Sequence, residues 1–298
     1  MTEKKKVSMC TKRGRTGLLF LMPSLVGVFL FVLIPFSDVI RRSCLDAMGN
    51  QFTGLDNYRE LFANPAFGLA VRNTLRFTLI CIPVLLLLSL MTSVFLHRQR
   101  RWGQMLKSVY LIPMAIPVAS VVLLWRVLFH QQGIVNGMIQ WLHLPAKDWM
   151  NSDAAFWVLV FSYLWKNLGY DIILWTAGLG TIPDSLYEAA KVDGAGEWMC
   201  FFKITLPNLL PAFFTISVLS LLNSFKVFRE AYLVAGDYPN ESMYLLQHVF
   251  NNWFRELSLD KMAAGAVMTA LVILALVLLD VYKRQRLRRL KGKPQIHI

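Results

Sequence analysis

The sequence predicts an all-α membrane protein of six transmembrane helices, and three observations carry this. The 298-residue chain is 56% hydrophobic with a mean hydropathy of +0.47, more apolar than a soluble domain of that length. Several of its apolar runs reach the ~20 residues that a spanning helix needs. Its net charge of +13 is carried in large part by clusters that abut the first and last runs. Lys4, Lys5, Lys6, Lys12, Arg13 and Arg15 come before, and Lys283, Arg284, Arg286, Arg288, Arg289, Lys291 and Lys293 come after. Basic clusters beside membrane spans read as orientation signals and headgroup contacts. No folded basic face remains to dock a nucleic-acid groove, so no nucleic-acid partner is expected.

The spans follow in order. The first, about 18–40, is built on the uncharged run Leu18–Ser37. Its apolar core is too long for a cleaved signal, and the flank "DVIRRSCL" offers no small-x-small cleavage site. The second, about 73–97, contains "VLLLLSLM", and the third, about 106–129, runs uncharged from Ser108 to Trp125 before Arg126. The fourth, about 154–180, is interrupted by Lys166 and Asp171. The fifth, about 206–229, is uncharged up to Lys226, and the sixth, about 261–282, is almost all Ala, Val, Leu, Ile and Met. This gives a basic N-terminal segment 1–17, a six-span domain 18–284 and a basic tail 285–298. Six crossings put both termini on one side. With those termini cytoplasmic, the inner segments hold 19 Lys and Arg and the outer segments hold 9, the asymmetry that the positive-inside rule requires.

The segment between spans four and five is polar, "IPDSLYEAAKVDGAGEWMCFFKITLP". Pro183 and Asp184 mark the exit from span four. Ser185-x-x-Glu188 reads as a capping box that starts a short helix. Gly194 and Gly196 bracket a turn. A second helix starts near Glu197, and Trp198, Phe201, Phe202 and Ile204 make it interfacial. From these residues alone the segment could be a plain interfacial connection or an exposed docking element.

The residues Glu188-Ala189-Ala190, then Gly194, Ile204 and Leu206-Pro207, resemble in identity and spacing the EAA signature of membrane subunits of binding-protein-dependent ABC importers. "FTGLDNYRELFANPAFGLAVRNTLRFT", "YLIPMAIPVASVVLLWRVLFHQQGIVN" and "LWKNLGYDIILWTAGLGTIPDSLYEAAKVDGA" are similar to the carbohydrate-importing branch. Gly236-Asp237-Tyr238-Pro239 departs from a glycine-rich turn common there. The resemblance implies a cytoplasmic coupling helix between spans four and five that docks on an ATPase through Glu188, Ala189, Ala190, Asp193, Gly194, Ala195, Ile204, Leu206 and Pro207. It implies a bacterial cytoplasmic membrane, two copies of an ABC ATPase that bind ATP and Mg, a second homologous permease subunit as a heterodimer partner, and an extracellular solute-binding protein.

The chain itself has no G-x-x-x-x-G-K-[ST] phosphate loop; Gly292-Lys293 is followed by Pro294. No catalytic constellation is present, and the expectation is a transport subunit rather than an enzyme, with no cofactor in this chain. Cys10, Cys44, Cys81 and Cys200 are far apart and the five histidines are scattered, so no metal site is expected.

Polar groups inside a span usually face a cavity or a neighbouring helix. The fourth span offers Trp165, Lys166, Asn167, Tyr170 and Asp171, and the fifth offers Asn223 and Ser224. Asn167 and Asp171 are four apart and share a helical face. Aromatic faces with amide and carboxylate edges suit a sugar's apolar ring and hydroxyl rim. The competing reading is that these groups satisfy one another and fix helix packing. Arg126 and Lys226 are expected to snorkel, and Trp125 to anchor at the interface. A phosphate-bearing solute such as glycerol phosphate is the alternative cargo, since Lys166 would suit it. An ion-coupled secondary carrier using Lys166 and Asp171 is the alternative class.

Overall fold

A computed structural model of the chain describes residues 19–99 and 103–291. The basic segment 1–17 and residues 292–298 of the tail lie outside the described residues. Among the described residues there is no β-strand, only an isolated bridge between Leu45 and Phe52. The chain divides into two compact units. One runs to Asn64 and takes in Trp253–Val272; the other is Pro65–Asn252 with the stretch from Ile273 on.

In the first unit, helix α1 covers Leu19–Arg42, and no residue of its most apolar window is buried. It contains a π-turn at Phe29–Leu33, where the Ile34 N–H reaches back to the Phe29 carbonyl. Pro35 follows directly. A proline ring clashes with the carbonyl four residues upstream, and the wider turn relieves that clash. Helix α2, Asp56–Ala63, carries the buried Asn57, whose Nδ2 donates to the carbonyls of Ser43 at 3.0 Å and Leu45 at 2.7 Å.

The second unit holds α3 (Pro65–Arg98), α4 (Gly103–Ala115), α5 (Val118–Leu128), α6 (Ile134–Trp141), α7 (Ala155–Leu179) and α8 (Asp184–Val192). A continuous helical rod, Glu197–Ala235, comes next. It comprises a turn at Glu197–Cys200, a π-segment at Phe201–Thr205, α9 (Leu206–Ser224), a 3-10 turn at Phe225–Val227 and α10 (Phe228–Ala235). The π-segment repeats the logic of α1: Leu206 N–H bonds to the Phe201 carbonyl, immediately before Pro207. Helices α11 (Leu246–Arg255) and α12 (Leu259–Lys291) complete the described residues.

Helix α7 is the axis of this unit. Phe156, Leu159 and Tyr163 pack with Phe77, Cys81 and Leu85 of α3 and with Val227 and Ala231 of the rod. Further along, Trp175 and Leu179 pack with Leu86 of α3 and with Leu209 and Ile216 of α9. Polar pairs also join these helices. Trp175 Nε1 donates to Ser89 Oγ at 3.0 Å, and Ser93 and Thr176 share a hydroxyl bond at 3.0 Å. Gly169 brings α7 so close to the Tyr110 carbonyl of α4 that a Cβ there would overlap it.

By length and apolarity, α1, α3, the rod and Leu259–Lys283 can each cross a membrane. The pair Ser108–Ala115 and Val118–Leu128 makes a fifth if it counts as one bent by 93°. The sequence reads this region as one helix over 106–129. The break falls at Ile116-Pro117, where the proline steers its predecessor out of the helical region. Helix α7 has the length of a span, about 37 Å at 1.5 Å per residue, with Lys166 and Asp171 keeping its hydropathy down.

Three expectations change at the level of single residues. The capping box at Ser185 does not form: α8 starts from Pro183 as its cap residue, with no side-chain cap bond. Proline fixes φ near the value the cap needs, so the chain enters the helix two residues earlier. Trp125 is not an interface anchor. It is buried, and its Nε1 donates to Ser162 Oγ at 2.8 Å. Arg126 does not simply snorkel: its guanidinium holds the carbonyls of Leu233 and Val234, both at 2.8 Å, at the end of α10, where helix carbonyls lack intrahelical donors.

Candidate functional site

Two regions of the second unit combine polar chemistry with open space. One is the 183–207 hairpin. Helix α8 has Asp184 in its first turn and Lys191 in its last, both on the side that the helix dipole favours. Its end is a Schellman closure. The Ala195 N–H bonds to the Ala190 carbonyl at 2.8 Å, and the Gly194 N–H to the Lys191 carbonyl at 3.0 Å. Gly194 sits at φ +77°, the left-handed conformation that this closure needs and that glycine adopts without a Cβ clash. Gly196, extended at φ −72°, ψ 170°, caps the next helix at Glu197. Tyr187 hydroxyl meets Thr205 Oγ1 at 2.9 Å, and Ile204 packs on the Trp175 cluster. These contacts tie the hairpin back to the ends of α7 and α9.

The rest of the hairpin is open. No residue of α8 is buried. Glu188, Ala189, Asp193 and Gly194 are exposed, Ala190 and Ala195 half-buried, and Val192 is 89% exposed. On the other side of α8 lies an open groove that Glu188, Lys191 and Ala195 share with His97 of α3 and Glu197 and Phe201 of the rod. Leu206 is exposed and Pro207 half-buried, both inside the rod. All nine hairpin residues singled out by sequence therefore fall on one continuous element.

The other region is a cleft beside the middle of α7. Met114 and Val118 line it from either side of the α4–α5 break, Lys166 and Asn167 from α7, and Asn223 and Glu230 from the rod. Lys226 and Arg229 also reach it. Lys166 Nζ pairs with Glu230 Oε1 at 2.6 Å. Lys226 Nζ donates to Asn223 Oδ1 at 2.7 Å. Asn167 Nδ2 donates to the Tyr163 carbonyl one turn back at 2.9 Å.

The remaining sequence candidates lie elsewhere. Asp171 is buried against α9 and accepts from Ser220 Oγ at 2.8 Å. Positions four apart on a helix diverge by about 40°, enough to send Asn167 to the cleft and Asp171 to the helix interface. Trp165 is half-buried with its ring edge-on to Trp125, 5.3 Å between centroids. Tyr170 is half-buried. Ser224 is buried and bonds to the Leu221 carbonyl of its own helix at 2.7 Å. Lys166 and Asp171 thus do not pair with each other. Glu230 was missed: it lies past the predicted span, and only its adjacency to Lys226 and Arg229 hinted at it.

Several long apolar helices, a polar cleft along one of them and an exposed helical hairpin define a multi-pass membrane protein of the transporter kind. Residues 85–291 match the family described as the binding-protein-dependent transport system inner membrane component, and the chain belongs to that family. It is a membrane transport component rather than an enzyme. It is 30% identical to the sulfoquinovosyl glycerol transport system permease protein SmoG of Agrobacterium fabrum, over 85% of this chain and 84% of that protein. It is 29% identical to the probable starch degradation products transport system permease protein AmyD of Thermoanaerobacterium thermosulfurigenes, over 92% of this chain and 96% of that one. Among solved structures, it aligns with a chain of a bacterial alginate ABC transporter in complex with an alginate pentasaccharide-bound periplasmic protein. The TM-score is 0.79 at 22% identity, covering 92% of this chain and 96% of that one; at that identity the likeness is one of fold.

Proposed function

We propose that the chain is one permease subunit of an ATP-driven importer and forms half of a translocation pore for a sugar or oligosaccharide. Family membership supports the transport role, and the cargoes that SmoG and AmyD are named for support a saccharide. In this reading the bent pair α4–α5 counts as one span and α7 as another, which completes six. Both termini and the 183–207 hairpin face the cytoplasm, as the Lys and Arg asymmetry favours. The domain 18–284 is then the permease, with short basic ends. A second homologous permease, two ABC ATPase subunits that hold ATP and Mg, and an extracellular solute-binding protein complete the assembly. An ion-coupled carrier would not need an exposed hairpin, and the family argues against it.

The observation that carries this reading is α8. It is a helix closed at its C-terminal end with none of its residues buried, and a helix in that state needs a partner to bury it. The test is Gly194→Val, which forces a β-branched residue into the left-handed turn. The expected result is uptake reduced at least tenfold, with the protein still in the membrane and ATP hydrolysis either lost or no longer coupled to transport. Wild-type uptake in that variant would remove the coupling role.

A further inference from the structure

The cleft beside α7 has a charge pattern that a neutral cargo does not explain. Lys166, Lys226 and Arg229 line it with a single carboxylate, Glu230. The Lys166–Glu230 pair neutralises itself, which leaves two cations in the lining. Lys226 and Arg229 are both exposed to the open space. Val118, the first residue of α5, also lines it, so a helix N-terminus adds partial positive charge at the same place. A second feature asks for a different partner. Glu230 is 6% exposed, Lys166 occupies its Oε1, and its Oε2 is buried with no hydrogen-bond partner. An unpaired buried acceptor is costly, and a hydroxyl donor reaching the cleft would satisfy it.

We propose that this cleft is a binding subsite for an acidic saccharide, one that bears a carboxylate, phosphate or sulfonate: Lys226 and Arg229 take the anionic group, and Glu230 Oε2 accepts from a ring hydroxyl. The proposal rests on the permease reading above and deepens it. The shared chemistry is an anion and a hydroxyl on one small solute. Lys226 sits one turn before Glu230 on the rod, and Lys166 holds Glu230 in place from α7, so the anion and hydroxyl contacts lie on one wall. Asn167 and Asn223 add amide edges for further hydroxyls.

The experiment measures uptake of labelled disaccharides by cells in which this importer is the only route. Neutral, uronate-bearing and phosphate-bearing members share one ring skeleton. Acid-bearing sugars are expected to enter at least tenfold faster than the neutral counterpart. The double variant K226Q/R229Q should raise the half-saturation concentration for the acidic sugar at least tenfold, since two charge-assisted contacts are lost, and narrow the ratio of acidic to neutral uptake. The conservative Glu230→Gln, with membrane abundance checked by immunoblot, should slow all of the sugars. Preference for the neutral sugar, or wild-type kinetics in K226Q/R229Q, overturns the acidic-saccharide subsite and leaves the permease reading standing. Loss of the second permease from K226Q/R229Q on co-purification also overturns it, because the cations would then serve assembly. No uptake of any saccharide, with the importer present at normal abundance, overturns the saccharide reading and the subsite with it.

Discussion

His248 shows how one buried ring sets a pH limit. It is fully buried on α11, and its Nδ1 accepts from the Leu245 N–H at 3.0 Å. The ring packs edge-on to Phe228 and stacks on Tyr244. Burial pushes its pKa down from 6.5 to about 4, with the Leu245 hydrogen bond and Asp237 acting the other way. A base with a depressed folded-state pKa binds its proton more readily when unfolded. Its contribution is therefore complete above pH 6.5 and declines as pH falls toward 4, by about 3 kcal/mol. The melting temperature of the purified protein should fall over that window, and His248→Asn, which keeps an acceptor where Nδ1 stands, should flatten the profile. A profile unchanged by the substitution would assign the acid sensitivity to other groups. The sequence showed His248 only as one scattered histidine. Neither its aromatic walls nor the lone carboxyl oxygen of Glu230 could be read there, because both depend on contacts between elements far apart in the chain.

The contact of α7 with α4 depends on a missing side chain. Gly169 faces the Tyr110 carbonyl, and a methyl there must push two helix backbones apart. Overpacking of this kind costs about 1–3 kcal/mol, so Gly169→Ala should lower the melting temperature and also disturb the cleft that both helices line. Gly68 on α3 has nothing within 4 Å of an added Cβ, and Gly68→Ala should match or exceed the parent in stability because alanine favours the helix. If Gly169→Ala melts like Gly68→Ala, the close approach is not a feature of the folded protein. Helix existence was readable from hydropathy alone: α1, α3, the rod and α12 each overlap a predicted span. Helix ends were not, because α3 starts at Pro65 and the rod runs on to Ala235 through stretches whose apolar content ends earlier. The hairpin was readable in detail, since glycine at a left-handed closure and the residues around it are a local matter. The cap was misread because Pro183 competes with Ser185 for the same start.

The assembled arrangement can be tested without knowing the cargo. A cysteine-reactive, membrane-impermeant label should miss Ala190→Cys in intact cells and reach it in inverted vesicles, and a crosslinker at that position should capture a nucleotide-hydrolysing protein. Labelling from outside would reverse the proposed orientation. The buried asparagines have a consequence of another sort. Asn57 grips the carbonyls of Ser43 and Leu45, Asn73 those of Glu241 and Tyr244, and Asn136 those of Gln131 and Lys147. Each amide holds main-chain atoms that every residue type possesses. The side chains decorating these loops are thus free to drift without loosening the scaffold beneath, and ordinary point mutation could change the chemistry of each loop while a short polar peg keeps its path.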